Sequence, residues 1–179
     1  MIFEKTALPG VLRVIQTPHR DARGFFSRLY CPDEFAKAGI AFTPTQVNLS
    51  RNTTKHTLRG LHWQDAPHAE AKFIRITRGR VFEVVVDIRP DSATRYQHLT
   101  LELDAETGDG LFIPEGFAHG FVALQNDTRF LYKTTDFYAK DCERAIRFDD
   151  PAIGIKWPAD LHPILAAKDA SAPLLATAE

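Results

Sequence analysis

The chain has 179 residues, of which 44% are hydrophobic and 25% charged, and its formal net charge at pH 7 is -1. This composition supplies one ordinary domain with a buried core, so we expect a single domain over residues 1–179. A near-neutral balance without a dense run of Lys and Arg excludes the electrostatic surface of a nucleic-acid-binding protein. No apolar run approaches a membrane span and no secretory apolar core is visible, so we expect a cytoplasmic protein without a membrane partner.

Short runs with a period of two dominate the chain and predict β-strands. In the clearest run, residues 82–88 (FEVVVDI), Phe82, Val84, Val86 and Ile88 share one face. Many short strands separated by turn-forming residues favour a sandwich or barrel with antiparallel pairing. The predicted strands cover residues 11–16, 24–30, 45–50, 57–63, 72–77, 82–88, 97–103, 110–114, 120–124 and 129–135.

Two segments have the pattern of a helix: residues 32–39, which end at a glycine, and a C-terminal piece near residues 162–169. We expect the tail after Pro173 to be loose. Cys31 and Cys142 are too few for a disulfide framework and lack the spacing of metal ligands, so we predict free thiols without an assigned role.

Three segments set polar or titratable side chains inside apolar, strand-like runs: RGLHWQ at residues 59–64, FIPEGFAHGF at 112–121 and FLYKTTDFY at 130–138. This pattern is expected where a barrel directs reactive side chains into its own interior. Together with DARGFF at residues 21–26 and ERAIRFDDPAIGIKWP at 143–158, these segments resemble, in order, the signature blocks of the dTDP-4-dehydrorhamnose 3,5-epimerase family. The resemblance extends over nearly the whole chain.

The strand pattern and the resemblance both predict an all-β, cupin-type jelly-roll barrel of two antiparallel sheets with a few short helices, mainly near the C-terminus. Cupins commonly bind a metal through an HxH pair, a later Glu and a His after a PxG turn. Here PEG at residues 114–116 is followed by His119, but the first half reads HWQ at residues 62–64. Because two imidazoles and an amide make a poor divalent site, we expect no metal and no other cofactor.

Epimerisation beside a ketone needs a base, a group that stabilises the developing oxyanion, and an acid on the opposite face. The resemblance implies His62 as the base with Asp169 as its partner, Lys72 at the oxyanion and Tyr132 as the acid. These residue types suit the roles, since imidazole titrates near neutral pH and a cation in an apolar strand needs an anion. Each residue alone would also fit an ordinary packing or surface role; the surrounding motifs favour the catalytic interpretation.

The resemblance also implies a set of residues around a nucleotide-sugar, in which arginine suits the phosphates. In a regular strand Arg59 and His62 point to opposite faces, so both reach one cavity only if Gly60 forms a bulge or the strand twists strongly. His119 either packs in the core or hydrogen-bonds the substrate. The predicted substrate-binding residues are Arg23, Phe26, Arg28, Gln46, Asn48, Arg59, His119, Tyr138, Glu143 and Lys168.

The sequence departs from the commonest family pattern at Arg28, where an acidic residue is usual, and this reversal of charge leaves the nucleotide base open. The resemblance further implies a homodimer formed by sheet extension, with residues 1–50 in the interface. In that arrangement the segment around Phe26 and Arg28 lies beside the partner's pocket.

The predicted activity is the cofactor-independent 3,5-epimerisation of a nucleotide-activated 4-keto-6-deoxy-hexose, in particular dTDP-4-dehydro-6-deoxy-D-glucose. Three alternatives remain: a single-site epimerase or a ketoisomerase on a related sugar, a non-catalytic cupin that binds a nucleotide-sugar, and a metal-dependent cupin enzyme. Gln64 disfavours the metal enzyme. The joint presence of His62, Lys72 and Tyr132 disfavours the binder, which needs neither an acid nor a base.

Overall fold

The structure is a computed structural model that describes residues 1–175. None of the helices in this range is long and apolar enough to cross a membrane. In chain order the elements are β1 (Ile2–Lys5), β2 (Leu12–Ile15), β3 (His19–Asp21), β4 (Gly24–Phe26), α1 (Pro32–Lys37), β5 (Gln46–Asn52), β6 (Leu58–Gln64), β7 (Lys72–Arg78), β8 (Arg80–Asp87), β9 (His98–Asp104), β10 (Gly110–Ile113), β11 (Phe117–Ala123), β12 (Thr128–Thr134), a 3-10 turn (Lys140–Cys142), β13 (Glu143–Ala145) and α2 (Ala167–Ala170).

Two antiparallel sheets face each other across one core. The six-stranded sheet has the order β1-β2-β10-β7-β12-β5, and the five-stranded sheet has the order β13-β6-β11-β8-β9. Phe121 on β11 stacks on Phe130 on β12, with ring centroids 4.1 Å apart, so the inner faces of the two sheets meet directly. The prediction of an all-β jelly roll with few and short helices is confirmed.

The short elements at the margins differ from the sequence prediction. Strand β1 was not predicted, and the run predicted over residues 24–30 stops at Phe26, where β4 ends its hairpin with β3. The predicted C-terminal helix is only the single turn of α2, because Ile164 upstream of it is held by a parallel β-bridge to Thr57 instead of helical hydrogen bonds.

The end of the described chain is held against the barrel. The carbonyl of Pro173 accepts a hydrogen bond from the Arg147 N–H at 3.0 Å, and the Leu175 N–H donates to Asp150 Oδ2 at 2.6 Å. Leu175 also joins a buried cluster with Ile146. The tail predicted to be loose after Pro173 is therefore anchored up to Leu175 by burial of this leucine; residues 176–179 lie outside the described residues.

Strand β6 contains a bulge at Gly60. His62 lies opposite His119, and Arg59 lies opposite Phe121. From one pair to the other β6 advances by three residues and β11 by two, so β6 has one extra residue. Gly60 has φ +117°, and a Cβ there would lie 2.6 Å from the Gly120 Cα and 2.7 Å from the His119 carbonyl oxygen. Of the two alternatives that the Arg59–His62 conflict left open, the structure has the bulge, and both side chains line one cavity.

We predict that Gly60→Ala lowers the free energy of unfolding by roughly 3 kcal/mol or more, because the methyl group adds a backbone clash to an unfavourable φ. Gly39 is a matched control, since its φ is also positive (+78°) but a Cβ there would have no atom within 4 Å beyond its chain neighbours. Gly39→Ala should cost only about 1 kcal/mol. Urea unfolding of both variants measures the difference, and equal losses would show that the close approach at Gly60 costs nothing.

Candidate active site

A cavity of about 320 Å³ opens between the two sheets. Its walls come from β5, β6, β7, β11 and β12 and from the segment around α2. All predicted site residues line it except Arg23, Phe26 and Arg28. The lining residues are Gln46, Asn48, Ser50, Arg59, His62, Trp63, Gln64, Glu70, Lys72, His119, Phe121, Phe130, Tyr132, Thr134, Tyr138, Glu143, Ala166, Lys168 and Asp169.

His62 and Asp169 form a pair in the lining of this cavity, and the Asp169 side chain is buried. Asp169 Oδ1 lies 2.7 Å from His62 Nε2, and Asp169 Oδ2 accepts the Gly60 N–H at 3.3 Å. Burial alone would raise the pKa of Asp169, but the hydrogen bond and charge of His62, the Gly60 N–H and the charge of Lys168 outweigh it and lower the pKa. The Asp169 carboxylate is therefore ionised at neutral pH. As a hydrogen-bond acceptor it favours the His62 tautomer with the proton on Nε2, which leaves the lone pair on Nδ1.

Lys72 is paired with a residue that the sequence did not single out, Glu70. The Lys72 Nζ lies 3.2 Å from Glu70 Oε1, and each side chain is only 11% exposed. Burial raises the pKa of Glu70 even though Lys72 pulls it down. Glu70 lies two residues before the start of β7, outside the strand, so strand alternation gave no signal for it.

His119 contacts a second carboxylate that the sequence did not single out, Glu83 on β8. His119 Nδ1 lies 2.8 Å from Glu83 Oε1, and Glu83 is fully buried. Burial raises the pKa of Glu83 well above its usual range, and burial, then the charges of Lys72 and His62, lower the pKa of His119 well below its own. The pair is therefore neutral, and His119 is a polar wall of the cavity rather than part of the apolar core.

Tyr132 faces His62 from the other sheet. It lies on β12, opposite Asn48 on one side and Ile74 on the other, whereas His62 lies on β6 of the five-stranded sheet. Burial, followed by the negative charge of Glu70, raises the pKa of Tyr132, so the side chain is a neutral phenol. A titratable nitrogen and a phenol therefore approach the cavity from opposite walls.

The mouth of the cavity carries a connected polar group. Lys168 Nζ donates to Glu143 Oε1 at 2.6 Å, and the Tyr138 hydroxyl donates to Glu143 Oε2 at 3.0 Å. Tyr138 is 60% exposed, so its ring is free to stack on a planar ligand. Arg59 Nε donates to Asn52 Oδ1 at 2.9 Å.

Arg23, Phe26 and Arg28 do not line the cavity of their own chain. Arg23 pairs with Asp21 at 2.6 Å on the β3–β4 hairpin, and Phe26 is 67% exposed. Arg28 Nη1 lies 3.4 Å from Glu34 Oε1.

The position where a metal-binding cupin has its second histidine is used for a structural contact. Gln64 Nε2 donates to the carbonyls of His68 and Phe137, and Gln64 Oε1 accepts the Ala139 N–H at 2.6 Å. Within residues 1–175 no three His, Cys, Asp or Glu side chains are grouped as metal ligands. Cys31 and Cys142 are free thiols, as predicted.

Fold and cavity together define the class: a jelly-roll barrel of the cupin type whose interior carries paired acid–base side chains. Residues 5–177 match the family model described as dTDP-4-dehydrorhamnose 3,5-epimerase. The chain belongs to this family of isomerases, and the resemblance seen in the sequence motifs is confirmed.

Individual relatives agree. The chain is 46% identical to the dTDP-4-dehydrorhamnose 3,5-epimerase of Salmonella typhimurium, with 98% of this chain and 96% of that protein covered. A solved structure of the Legionella pneumophila dTDP-6-deoxy-D-glucose-3,5-epimerase is in complex with dTDP-4-keto-L-rhamnose. It is similar to this chain with a TM-score of 0.94 and 35% identity, and the match covers 99% of this chain and 94% of that chain. A dTDP-4-dehydro-6-deoxyglucose 3-epimerase from a Streptomyces species is 33% identical, over 90% of this chain and 82% of that protein.

We predict that Asp169→Asn lowers the free energy of unfolding at pH 7 by about 2 kcal/mol, because hydrogen bonds to a buried carboxylate are lost. The folded-state pKa of Asp169 is depressed, so its stabilising contribution is fully present above the unfolded value of about 3.9 and is lost as the pH falls through the lower folded value. The difference from wild type should therefore shrink in acid. Urea titrations from pH 7 downward measure it, with the exposed Asp91→Asn as control; a pH-independent difference would contradict the ionised pair.

Proposed function

We propose that the protein catalyses the 3,5-epimerisation of dTDP-4-dehydro-6-deoxy-D-glucose to dTDP-4-dehydro-L-rhamnose. The observation that carries this proposal is the His62–Asp169 pair, with its 2.7 Å contact, facing Tyr132 across one cavity. Membership of the family and the activities named for its members support the same substrate class. We place the reaction in the cytoplasm, as the sequence predicts.

In the first step His62 removes a proton from the carbon beside the ketone. The C–H electron pair becomes the C=C bond of an enolate, and the ketone oxygen becomes an oxyanion. Asp169 stabilises the imidazolium that forms, because its ionised carboxylate already accepts the Nε2–H.

Lys72 and His119 stabilise the oxyanion. Lys72 supplies a buried ammonium, and its charge is worth more in the cavity than it would be in water. A neutral His119 can add a hydrogen bond when its proton is on Nε2, with Glu83 holding Nδ1.

Tyr132 then donates its phenol proton to the opposite face of the ring, so the configuration inverts. The phenolate regains a proton and the His62 imidazolium loses one, and neither net protons nor electrons are consumed. The same sequence at the second carbon completes the reaction without a redox cofactor or metal, in line with the cofactor-free expectation.

The nucleotide diphosphate belongs at the cavity mouth. Arg59 and Lys168 offer cationic groups to the phosphates, and the exposed Tyr138 ring offers a surface for the base. Gln46, Asn48 and Glu143 supply hydrogen-bonding groups to the sugar and its linker. The named ligands of family members favour thymidine, and the effect of Arg28 on the choice of base stays a prediction.

We further propose a homodimer in which each chain contributes its β3–β4 hairpin to the partner's cavity. Two features support it: Phe25 and Phe26 are 65% and 67% exposed, and β5 is an edge strand with Val47 and Leu49 at 61% and 58% exposure. Exposed apolar edges of this kind favour pairing with a second copy. Arg23, Phe26 and Arg28 would then reach a nucleotide bound by the other subunit.

Deuterium exchange separates the base from the acid. In deuterated water with excess chelator, His62→Ala should abolish both epimerisation and deuterium incorporation, with a loss of about 10²-fold to 10⁴-fold or more. Tyr132→Phe should lose inversion more than exchange, because the enolate still forms at Lys72 while its opposite face lacks a donor. NMR at C3 and C5 measures both.

His98→Ala, on the edge strand β9 outside the cavity lining, is the matched histidine control and should behave like wild type. Free exchange by His62→Ala, together with equal inversion and exchange by Tyr132→Phe, would contradict the assigned roles. Incorporation at C3 alone would identify the wild type as the single-site epimerase, and no incorporation at either carbon would favour the non-catalytic binder.

Subunit complementation tests the shared site. His62→Ala chains lack the base but keep the hairpin, whereas Arg23→Ala/Phe26→Ala chains keep the base but lack the hairpin side chains. Equal mixing after subunit exchange should restore about a quarter of wild-type activity, because half of the dimers then hold one complete site of two. Sedimentation verifies the dimers; an inactive mixture of exchanged dimers, or a fully active monomer, would contradict the shared site.

A further inference from the structure

Glu70 is an acidic group inside the cavity for which the proposed reaction has no direct use. Its side chain is 11% exposed, and it lines the cavity with Lys72, Tyr132 and Thr134. Thr134 lies directly opposite Lys72 across the β7–β12 pair, and Tyr132 lies two residues away on the same face of β12. Glu70 therefore contacts the oxyanion-binding cation and lines the same cavity as the proposed acid.

The carboxylate satisfies a strict requirement of the Lys72 ammonium. A buried cation without a partner carries a large desolvation penalty. The contact at 3.2 Å removes this penalty and limits the directions in which the ammonium can point. The other carboxylate that acts on Lys72, Glu83, is engaged with His119.

The same carboxylate acts on Tyr132. Its negative charge disfavours the phenolate, whereas Arg59 favours it. The groups that act on Glu70 itself are Lys72, Asp136 and Thr134. Glu70 and Arg59 therefore act on this phenol with opposite sign.

We propose that Glu70 is a positioning residue for the epimerisation: its carboxylate, 3.2 Å from the Lys72 ammonium, fixes that ammonium at the oxyanion and acts through its charge on Tyr132, which lines the same cavity. This inference rests on the proposed function. It assigns the residue a role through its charge, which an isosteric amide would not reproduce.

Glu70→Gln keeps the shape and removes the charge. We expect kcat to fall about tenfold to a hundredfold with a smaller change in KM, because a displaced Lys72 loses contacts made in the transition state. Without the negative charge the pKa of Tyr132 falls, so the alkaline limb of the pH–rate profile should move to lower pH. Glu70→Asp retains the charge, so the alkaline limb of its pH–rate profile should lie near that of wild type.

Ultraviolet titration of the phenolate gives a readout that needs no substrate. The onset of Tyr132 ionisation, identified by subtracting the Tyr132→Phe background, should occur at lower pH in Glu70→Gln than in wild type. Glu106→Gln makes the same chemical change in an exposed turn and should leave both profiles unchanged. Circular dichroism melting verifies that each variant is folded.

The inference would be overturned if Glu70→Gln and wild type had the same alkaline limb of the pH–rate profile and the same phenolate titration. It would also be overturned if Glu70→Asp and Glu70→Gln shifted both profiles equally. If wild type itself neither turned over the sugar nor exchanged deuterium, the proposed function would fail. The phenolate titration would still decide whether the charge of Glu70 acts on Tyr132.

Discussion

The carboxylate of Asp169 holds the site together, because its two oxygens bind two points of one bulged strand. One oxygen accepts the Gly60 N–H at the bulge, and the other lies 2.7 Å from the ring of His62. The two partners are separated from Asp169 by more than half of the chain, so this contact closes the C-terminal segment over the cavity. The bulge, the orientation of the histidine and the closure of the cavity depend on the same buried charge.

Three basic side chains placed between the sheets each have a specific carboxylate partner. His62 has Asp169, Lys72 has Glu70, and His119 has Glu83. The pairs differ in charge because burial acts on each with a different strength. Asp169 receives enough hydrogen bonds to stay ionised, whereas Glu83, fully buried beside His119, is driven towards its neutral form. One barrel thus provides an activated base and a neutral hydrogen-bonding wall side by side.

Sequence reasoning predicted the long strands because their alternation reflects burial on one or both faces, as in Phe82–Ile88. It missed β1, β3 and β13, which have four, three and three residues, so alternation within them is weak. The family motifs pointed to His62, Lys72, Tyr132 and Asp169. Glu70 and Glu83 were not found, because a single carboxylate in or next to a strand looks the same whether it faces solvent or a cavity.

The conflict between Arg59 and His62 shows what local geometry can add to a motif. Two residues three positions apart cannot share a face of a regular strand, so the sequence required either a bulge at Gly60 or a strong twist, and the structure has the bulge. The hairpin residues are the opposite case. Their role depends on a second chain, and no periodicity within one chain encodes where a partner lies.

Nitrogen NMR of the His62 ring tests the central claim most directly. If Asp169 is ionised and accepts from Nε2, neutral His62 must carry its proton on Nε2 and keep Nδ1 as the basic nitrogen. The account predicts an Nε2-protonated tautomer whose signals are absent in His62→Gln and whose preference is lost in Asp169→Asn. A predominant Nδ1-protonated tautomer in wild type would contradict it.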